Sequence, residues 1–243
     1  DDLVGNLLSV LNETGLDANT AIVFTTDHGD NLDERGLRYK KNFFEGSSRI
    51  PLIINLPGQL GQRITQHVSL VDLAPTLIEL AGEQPDEFSV EPLDGKSLIG
   101  LMAGSDAAWP QNVYSEILAE GATAPQIMIR NKQYKYIYSG CDPELLYDLK
   151  QDPNERHNCI AEPGLSDLVK EFQAQIDEKW DIPSLTQAIV LSQKRRLFLR
   201  KALHFGKFAD WDFVATDQAA QQCLRSNQGY NEWAYSQILD LNT

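Results

Sequence analysis

Between Asn112 and Leu149 the chain runs through NVYSEIL, QIMIRN, YKYIYS and LLYDL, four short β-branched and aromatic segments with no helix-length stretch between them. Links this short can only join antiparallel neighbours, because a parallel return needs a crossover of roughly a dozen residues or more. A small antiparallel sheet is therefore predicted, ended by Asp152-Pro153. The amphipathic stretch LSDLVKEFQAQIDEKWD, from Leu165 to Asp181, is predicted to be a helix covering one of its faces.

Upstream the grammar is different. DDLVGNLLSVLNETG reads as an amphipathic helix with Leu3, Leu7, Leu8 and Leu11 on one stripe and Gly15 as its stop. AIVFTT follows, nearly unbroken in hydrophobicity, and predicts a strand buried on both faces of a parallel sheet. RIPLIINLPG, Arg49 to Gly58, predicts a second buried strand. VSLVDLAPTLIELAG, Val68 to Gly82, predicts a helix with Asp72 in its first turn, where a carboxylate suits the dipole. Residues 83–95 read as a surface loop, and TQAIVLSQKRRLFLRKALHFG as a helix with a basic face. The expected class is α/β, in three portions: the main α/β part at 1–106, the small sheet with its helix at 107–181, and a helical extension at 182–243. A chain that opens inside a helix leads us to expect a further N-terminal portion.

Charge and cysteine content narrow the function classes. The net charge of −14 would repel a phosphate backbone, so nucleic acid is not an expected partner. The longest apolar runs are far too short to cross a bilayer, so no membrane association is expected either. Cys141, Cys159 and Cys223 are odd in number and lack metal-ligand spacing, which points to free thiols and a cytoplasmic location. Asn12-Glu13-Thr14 matches a glycosylation acceptor, a triplet common by chance. No G-x-S-x-G and no glycine-rich phosphate loop occurs.

The stretch TTDHGDNLDERGLRYKK, Thr25 to Lys41, carries the chemistry. Asp27 and His28 stand where a strand ends, the place at which open α/β sheets bind ligands. A carboxylate beside an imidazole makes part of a divalent-metal shell; calcium takes about six to eight oxygens at roughly 2.3–2.6 Å. Zinc fits less well, since no HExxH and no cysteine pair is present. Lys40 or Lys41 returning over such a metal would place a point charge on an anionic oxygen. Metal plus lysine suits stabilisation of charge on a transferred phosphoryl or sulfuryl group.

These residues carry a resemblance. TTDHGDNLDERGLRYKKNFFEGSSRIPLII is similar to the late metal-and-lysine segment of the sulfatase family, within the alkaline-phosphatase-like superfamily. VSLVDLAPTLIELAG, LDGKSL and LLYDLKQDPNERHN follow in that family's order. DERGLRYK, the segment YSEILAEGATAPQIMIRNKQYKYIYS and the tail with QKRRLFLRKAL, WDF and DQAAQQCLRSN most resemble choline sulfatases. The resemblance implies the C-terminal part of an alkaline-phosphatase-like sulfatase fold, with a small antiparallel subdomain and a helical tail. It implies a sulfuric ester hydrolase acting on choline sulfate, with an aryl-sulfatase or phosphonate monoester hydrolase as the alternative. In such enzymes a hydrated formylglycine attacks sulfur and releases the alcohol, and the hemiacetal then expels sulfate. Asp27 and His28 match the late metal pair, with calcium the expected ion and manganese or magnesium as substitutes. His28 either ligates the metal or hydrogen-bonds the sulfate or the nucleophile. Lys40 matches the sulfate-binding lysine, with Lys41 the fallback. Glu116 and Glu120 match the segment that meets the quaternary ammonium, Glu116 being preferred. Asp30 and Arg49 are assigned to structure.

Departures from the pattern matter equally. No Cys-x-Pro-x-Arg or Cys-x-Ala-x-Arg is present, so the formylglycine is expected in the missing N-terminal half and these residues alone are expected to be inactive. Arg38 replaces the tryptophan usual in the loop before the lysine. Phe205, Phe208, Trp211, Trp233 and Tyr235 in the tail suggest a homo-oligomer contact, and a purely structural oligomerisation module is the non-enzymatic alternative. Asn227 and Asn231 stand where the tail would reach a neighbouring subunit's site. His67, His157 and His204 have no partner at ligand spacing and are read as packing or capping residues.

Overall fold

The computed structural model describes residues 1–105, 109–119 and 122–205. The chain divides into two compact units, Asp1–Gln193 and Lys194–Thr243. Portions 1–106 and 107–181 lie together in the first unit. Among the described residues no helix is long and apolar enough to cross a membrane.

In chain order the first unit begins with α1 (Asp2–Glu13) and β1 (Ile22–Thr25), followed by the short strands β2 (Asn31–Leu32) and β3 (Arg38–Tyr39), the single turn α2 (Glu45–Ser48) and β4 (Leu52–Asn55). The stripe of α1 forms as predicted but is not buried: Leu3 and Leu7 are 79% and 68% exposed. β1 and β4 correct the expectation of a parallel, doubly buried pair. They run antiparallel, with Val23 opposite Ile54 and Phe24 opposite Ile53. Alternation along each strand turns Leu52 and Ile54 into an apolar cluster with Leu98, Leu101 and Trp109. Phe24 and Ile53 lie on the other face, exposed. A continuous apolar run states that a strand forms, but neither its direction nor whether both faces are covered.

α3 (Leu73–Leu80), α4 (Pro85–Phe88) and α5 (Ile99–Met102) come next, so the predicted 83–95 loop contains one helical turn. Asp72 does more than sit near a dipole. One of its oxygens accepts the Ser69 N–H at 2.7 Å while the Ser69 side chain accepts in return, a capping box. Its other oxygen accepts the Lys96 N–H at 2.8 Å. The Thr76 hydroxyl, fully buried, donates to the Asp72 carbonyl and accepts the Leu98 N–H at 2.9 Å. Gly95 allows this docking, since a Cβ there would stand 2.0 Å from the Val71 carbonyl oxygen. LDGKSL is thus tied to the start of α3 by buried hydrogen bonds.

β5 (Val113–Ile117), β6 (Gln126–Arg130), β7 (Tyr134–Ser139) and β8 (Leu145–Asp148) form the predicted antiparallel sheet in sequence order. α6 (Ser166–Lys179) covers one face, burying Phe172 and Ile176 against Ile127, Ile129, Tyr136 and Leu146. Each such side chain contributes about 1.5–3 kcal/mol. The opposite face, carrying Met128, Ile137 and Tyr147, packs on Phe43. α7 (Ile182–Phe205) continues the chain. Cys141 and Cys159 are free thiols; Cys223 and the tail aromatics beyond Phe205 lie outside the described residues.

Thr76→Val keeps the shape of the side chain and removes both hydrogen bonds, leaving a buried Leu98 N–H unsatisfied. The expected loss is about 1–3 kcal/mol in urea unfolding; stability equal to the wild type would mean the hydroxyl does not secure the Leu98 segment.

Candidate active site

The chain leaves β1 at Thr25 and turns through Asp27, His28 and Gly29. Oδ1 of Asp27 is held within this turn, accepting the His28 N–H at 3.0 Å and the Thr26 hydroxyl at 3.3 Å. Oδ2 faces outward and lies 3.3 Å from His28 Nε2. Partial desolvation raises the Asp27 pKa, but the adjacent His28 and hydrogen bonds from the Asp27 and His28 backbone and the Thr26 hydroxyl outweigh it, setting the carboxyl below its ordinary value. Asp27 is therefore ionised at neutral pH.

The His28 ring has a defined orientation. Nδ1 is 2.8 Å from the Gly29 carbonyl oxygen. A carbonyl only accepts, so Nδ1 carries a proton; Nε2 presents its lone pair when the ring is neutral and an N–H toward Asp27 Oδ2 when it is protonated. Lys40 Nζ lies 2.9 Å from that Nε2 and donates to it. The structure thus brings Asp27, His28 and Lys40 together, with the Lys40 ammonium meeting the imidazole.

Local folding explains how Lys40 returns. β2 pairs with β3, placing Asn31 opposite Tyr39. The buried Asn31 side chain donates to the Tyr39 carbonyl at 2.7 Å. Across the hairpin the Arg38 guanidinium ion-pairs with Asp33 and holds that carboxyl below its usual range. The arginine that departs from the family pattern therefore clamps the loop. Tyr39 and Lys41 have φ of 64° and 80°, left-handed values that cost about 1–3 kcal/mol each in a non-glycine residue and recur at functional sites. At the other side of the contact, the Gly29 N–H donates to the Ser47 carbonyl at 2.8 Å. A Cβ on Gly29 would lie 2.2 Å from the Gly46 carbonyl oxygen, so this turn requires glycine.

The donor set fits a divalent cation in part. Oδ2 and Nε2 face each other at 3.3 Å, and the Lys40 ammonium, 2.9 Å from Nε2, supplies positive charge beside them. Two ligands at right angles on one calcium-sized ion would be about 3.3–3.7 Å apart. Among the described residues no group of three His, Cys, Asp or Glu side chains forms a complete metal set. Asp27 Oδ2 is open to membership of a larger shell, whereas His28 Nε2 could join it only by giving up the Lys40 hydrogen bond.

Other sequence expectations fall elsewhere. Glu116 stands opposite Ile127, whose side chain faces α6, whereas the neighbouring Met128 faces Phe43. Its carboxylate accepts the Trp180 Nε1–H at 2.8 Å. Alternation puts Glu116 on the α6 side of the small sheet, opposite to the face that packs on the Phe43 loop. Glu120, Asn227 and Asn231 lie outside the described residues. The His67 carbonyl accepts the Trp109 indole N–H, and burial together with the Arg130 charge pushes the His67 ring pKa down. His157 contacts Glu162 at 3.2 Å. Arg49 sits 3.8 Å from Glu45, and Asp30 is exposed.

One group escaped the sequence reading. Lys135, inside β7, is fully buried with its ammonium 2.6 Å from Glu45 and 2.8 Å from Glu155. The available signal was a lysine in the middle of the apolar run YKYIYS, which demands a buried partner.

The chain resembles known proteins along most of its length. Residues 33–181 match the family described as N-sulphoglucosamine sulphohydrolase, C-terminal, and residues 187–237 match the family described as choline sulfatase enzyme C terminal. The chain is 38% identical to the choline-sulfatase of Rhizobium meliloti over 93% of this chain and 44% of that protein. Arylsulfatase K of Xenopus laevis is 35% identical, over 83% of this chain and 39% of that protein. Among solved structures, a 2-O GAG sulfatase superposes with a TM-score of 0.64 at 30% identity, over 72% of this chain and 39% of the other. The phosphonate monoester hydrolase of Agrobacterium radiobacter superposes with a TM-score of 0.63 at 27% identity, over 76% and 38%. The chain thus spans less than half the length of each of these relatives. With the late Asp-His pair and the returning lysine meeting at the end of β1, and with the family match running across the hairpin, the small sheet and α6, the chain belongs to the sulfatase family of the alkaline-phosphatase-like fold and carries that family's C-terminal region.

Proposed function

We propose that this chain contributes the anion-binding and late metal-binding part of a sulfuric ester hydrolase whose substrate is choline sulfate. The observation that carries the reading is the convergence of Lys40 Nζ and Asp27 Oδ2 on His28 Nε2, at 2.9 and 3.3 Å. Lys40 has three N–H donors; one is directed to His28, leaving two to meet oxygens of a sulfate group. Its compact charge suits an anion whose negative charge shifts during transfer. His28, with Nδ1–H fixed by Gly29, keeps Nε2 as an acceptor or ligand in one orientation. Asp27 Oδ2 would hold the divalent ion, calcium first, with manganese or magnesium as substitutes, and His28 Nε2 would join it only in exchange for the Lys40 hydrogen bond, since that nitrogen has one lone pair; when bound, such an ion polarises the ester oxygens. None of the three cysteines stands in a Cys-x-Pro-x-Arg or Cys-x-Ala-x-Arg sequence, so we assign the formylglycine nucleophile to a segment outside these residues.

Choline as the alcohol is supported by the 187–237 match and by the relative from Rhizobium meliloti. The Glu116 carboxylate, proposed for the quaternary ammonium, also accepts the Trp180 indole N–H at 2.8 Å. Likeness to an arylsulfatase and to a phosphonate monoester hydrolase favours a second reading with another ester of the same superfamily. A homo-oligomer through the tail and a cytoplasmic location belong to the proposal on the grounds of the tail's aromatics and the free thiols.

The test uses protein expressed from its complete reading frame. Hydrolysis of choline sulfate is expected to exceed that of aryl sulfates and phosphonate monoesters, and the opposite order would select the second reading. Lys40→Ala is expected to lower kcat/KM about 10²–10³-fold, the scale of losing one charge-stabilising donor. In calorimetric titration with calcium and manganese, Asp27→Ala is expected to abolish binding, and chelation of the wild type to abolish turnover. A wild type that binds neither ion and hydrolyses none of the esters would leave the oligomerisation module as the better description.

A further inference from the structure

The contact between His28 and Lys40 joins two segments that leave the sheet separately, and both are tied to one buried ion cluster. Lys135 Nζ donates to the Phe43 carbonyl at 2.7 Å and to Ser48 Oγ at 3.4 Å, and pairs with Glu45 at 2.6 Å and Glu155 at 2.8 Å. Glu155 Oε1 is buried with no hydrogen-bond partner among the described residues, so the Lys135 charge is what compensates it. Glu155 Oε2 accepts the Glu45 N–H at 2.8 Å. Lys135 thereby fixes the turn from Phe43 to Ser48.

That turn is what the His28 side rests on. Ser47 accepts the Gly29 N–H, and the Gly46 carbonyl fills the space where a Gly29 Cβ would be. A shift of the turn by the width of one hydrogen bond would carry Gly29, whose carbonyl orients His28 Nδ1. The Lys40 side rests on the same cluster from the hairpin. Arg35, between β2 and β3, donates to the Asn154 and Glu155 carbonyls and lies over the Phe44 ring at 4.2 Å. Glu155 itself has φ 54°, a left-handed conformation that the cluster holds in place.

From this geometry we infer that Lys135, with Glu45 and Glu155, is a positioning device that sets the His28–Lys40 contact from behind, acting through Ser47 on one side and Arg35 on the other. The inference rests on the proposed hydrolase reading only for its activity arm. A lysine held this way acts through the placement of other groups, and a displacement of about 1 Å at a reacting centre can cost about 10²-fold in rate.

The experiment is a double-mutant cycle combined with amide hydrogen exchange, on protein from the complete reading frame. Lys135→Met is expected to lower kcat/KM by about tenfold or more, mostly in kcat, while in the Lys40→Ala background the same change lowers it less than about threefold, since coupled residues are non-additive. Exchange in residues 27–41 is expected to accelerate about tenfold, with residues 166–179 of α6 changed less than about twofold. Additive losses in the double variant would overturn the inference, as would unchanged exchange across 27–41. Should Lys135→Met not fold, Glu45→Gln, which leaves the Lys135–Glu155 pair in place, carries the same expectations and the same overturning results. A wild type that hydrolyses none of the esters would refute the proposed activity alone, and the exchange comparison would still decide whether the cluster positions the site.

Discussion

The fold of the first unit turns on one buried ammonium. Lys135 is a charge inside an antiparallel sheet, and a lone charge there would cost several kcal/mol of desolvation. Two carboxylates meet it, one from the turn after the hairpin and one from the turn after β8. The arrangement is satisfied only when the 42–48 segment is seated on the sheet, so desolvation itself penalises any state in which that segment lifts away. Phe43 packs beside the cluster on Met128, Ile137 and Tyr147, adding apolar burial to the same seat. A hydrophobic contact alone would tolerate sliding. A buried ammonium with four oxygen neighbours does not.

Seen from that seat, the outward chemistry is lightly held. Asp27 and Lys40 are exposed, and His28 is about one-third exposed. Their mutual arrangement comes from the backbone: a glycine packed against a carbonyl, a hairpin clamped by Asp33 and Arg38, and left-handed residues on both sides of Lys40. Exposed groups suit the proposed site, which would admit an anion and a cation. Rigid backbone beneath them gives the orientation that exposed side chains cannot give themselves. Arg38 takes part in the same way, through its ion pair with Asp33 across the hairpin.

The small sheet separates two environments by simple alternation. Ile127, Ile129 and Leu146 point to α6, while Met128, Ile137 and Tyr147 point to the 43–44 loop. Lys135 and Tyr136 are adjacent in sequence and on opposite faces, so one meets carboxylates and the other stacks on Phe172 at 5.5 Å. The same alternation removes Glu116 from the Asp27–Lys40 side. Reading an acidic residue in a matching segment gave its position along the strand but not the face it presents.

What the amino-acid sequence determined by itself was local and periodic. The four strands, the α6 helix and the strand before Asp27 were all legible, because alternation, helical spacing and short motifs act within a few residues. Tertiary structure alone decided the rest. It set the antiparallel direction of β1 and β4, since an apolar run favours burial without naming its partner strand. It brought the Lys40 ammonium against His28, between left-handed turns at Tyr39 and Lys41. And it joined Lys135 to Glu45 and Glu155, ninety and twenty residues away, since charges taken out of water find partners by distance in space, which sequence order does not encode.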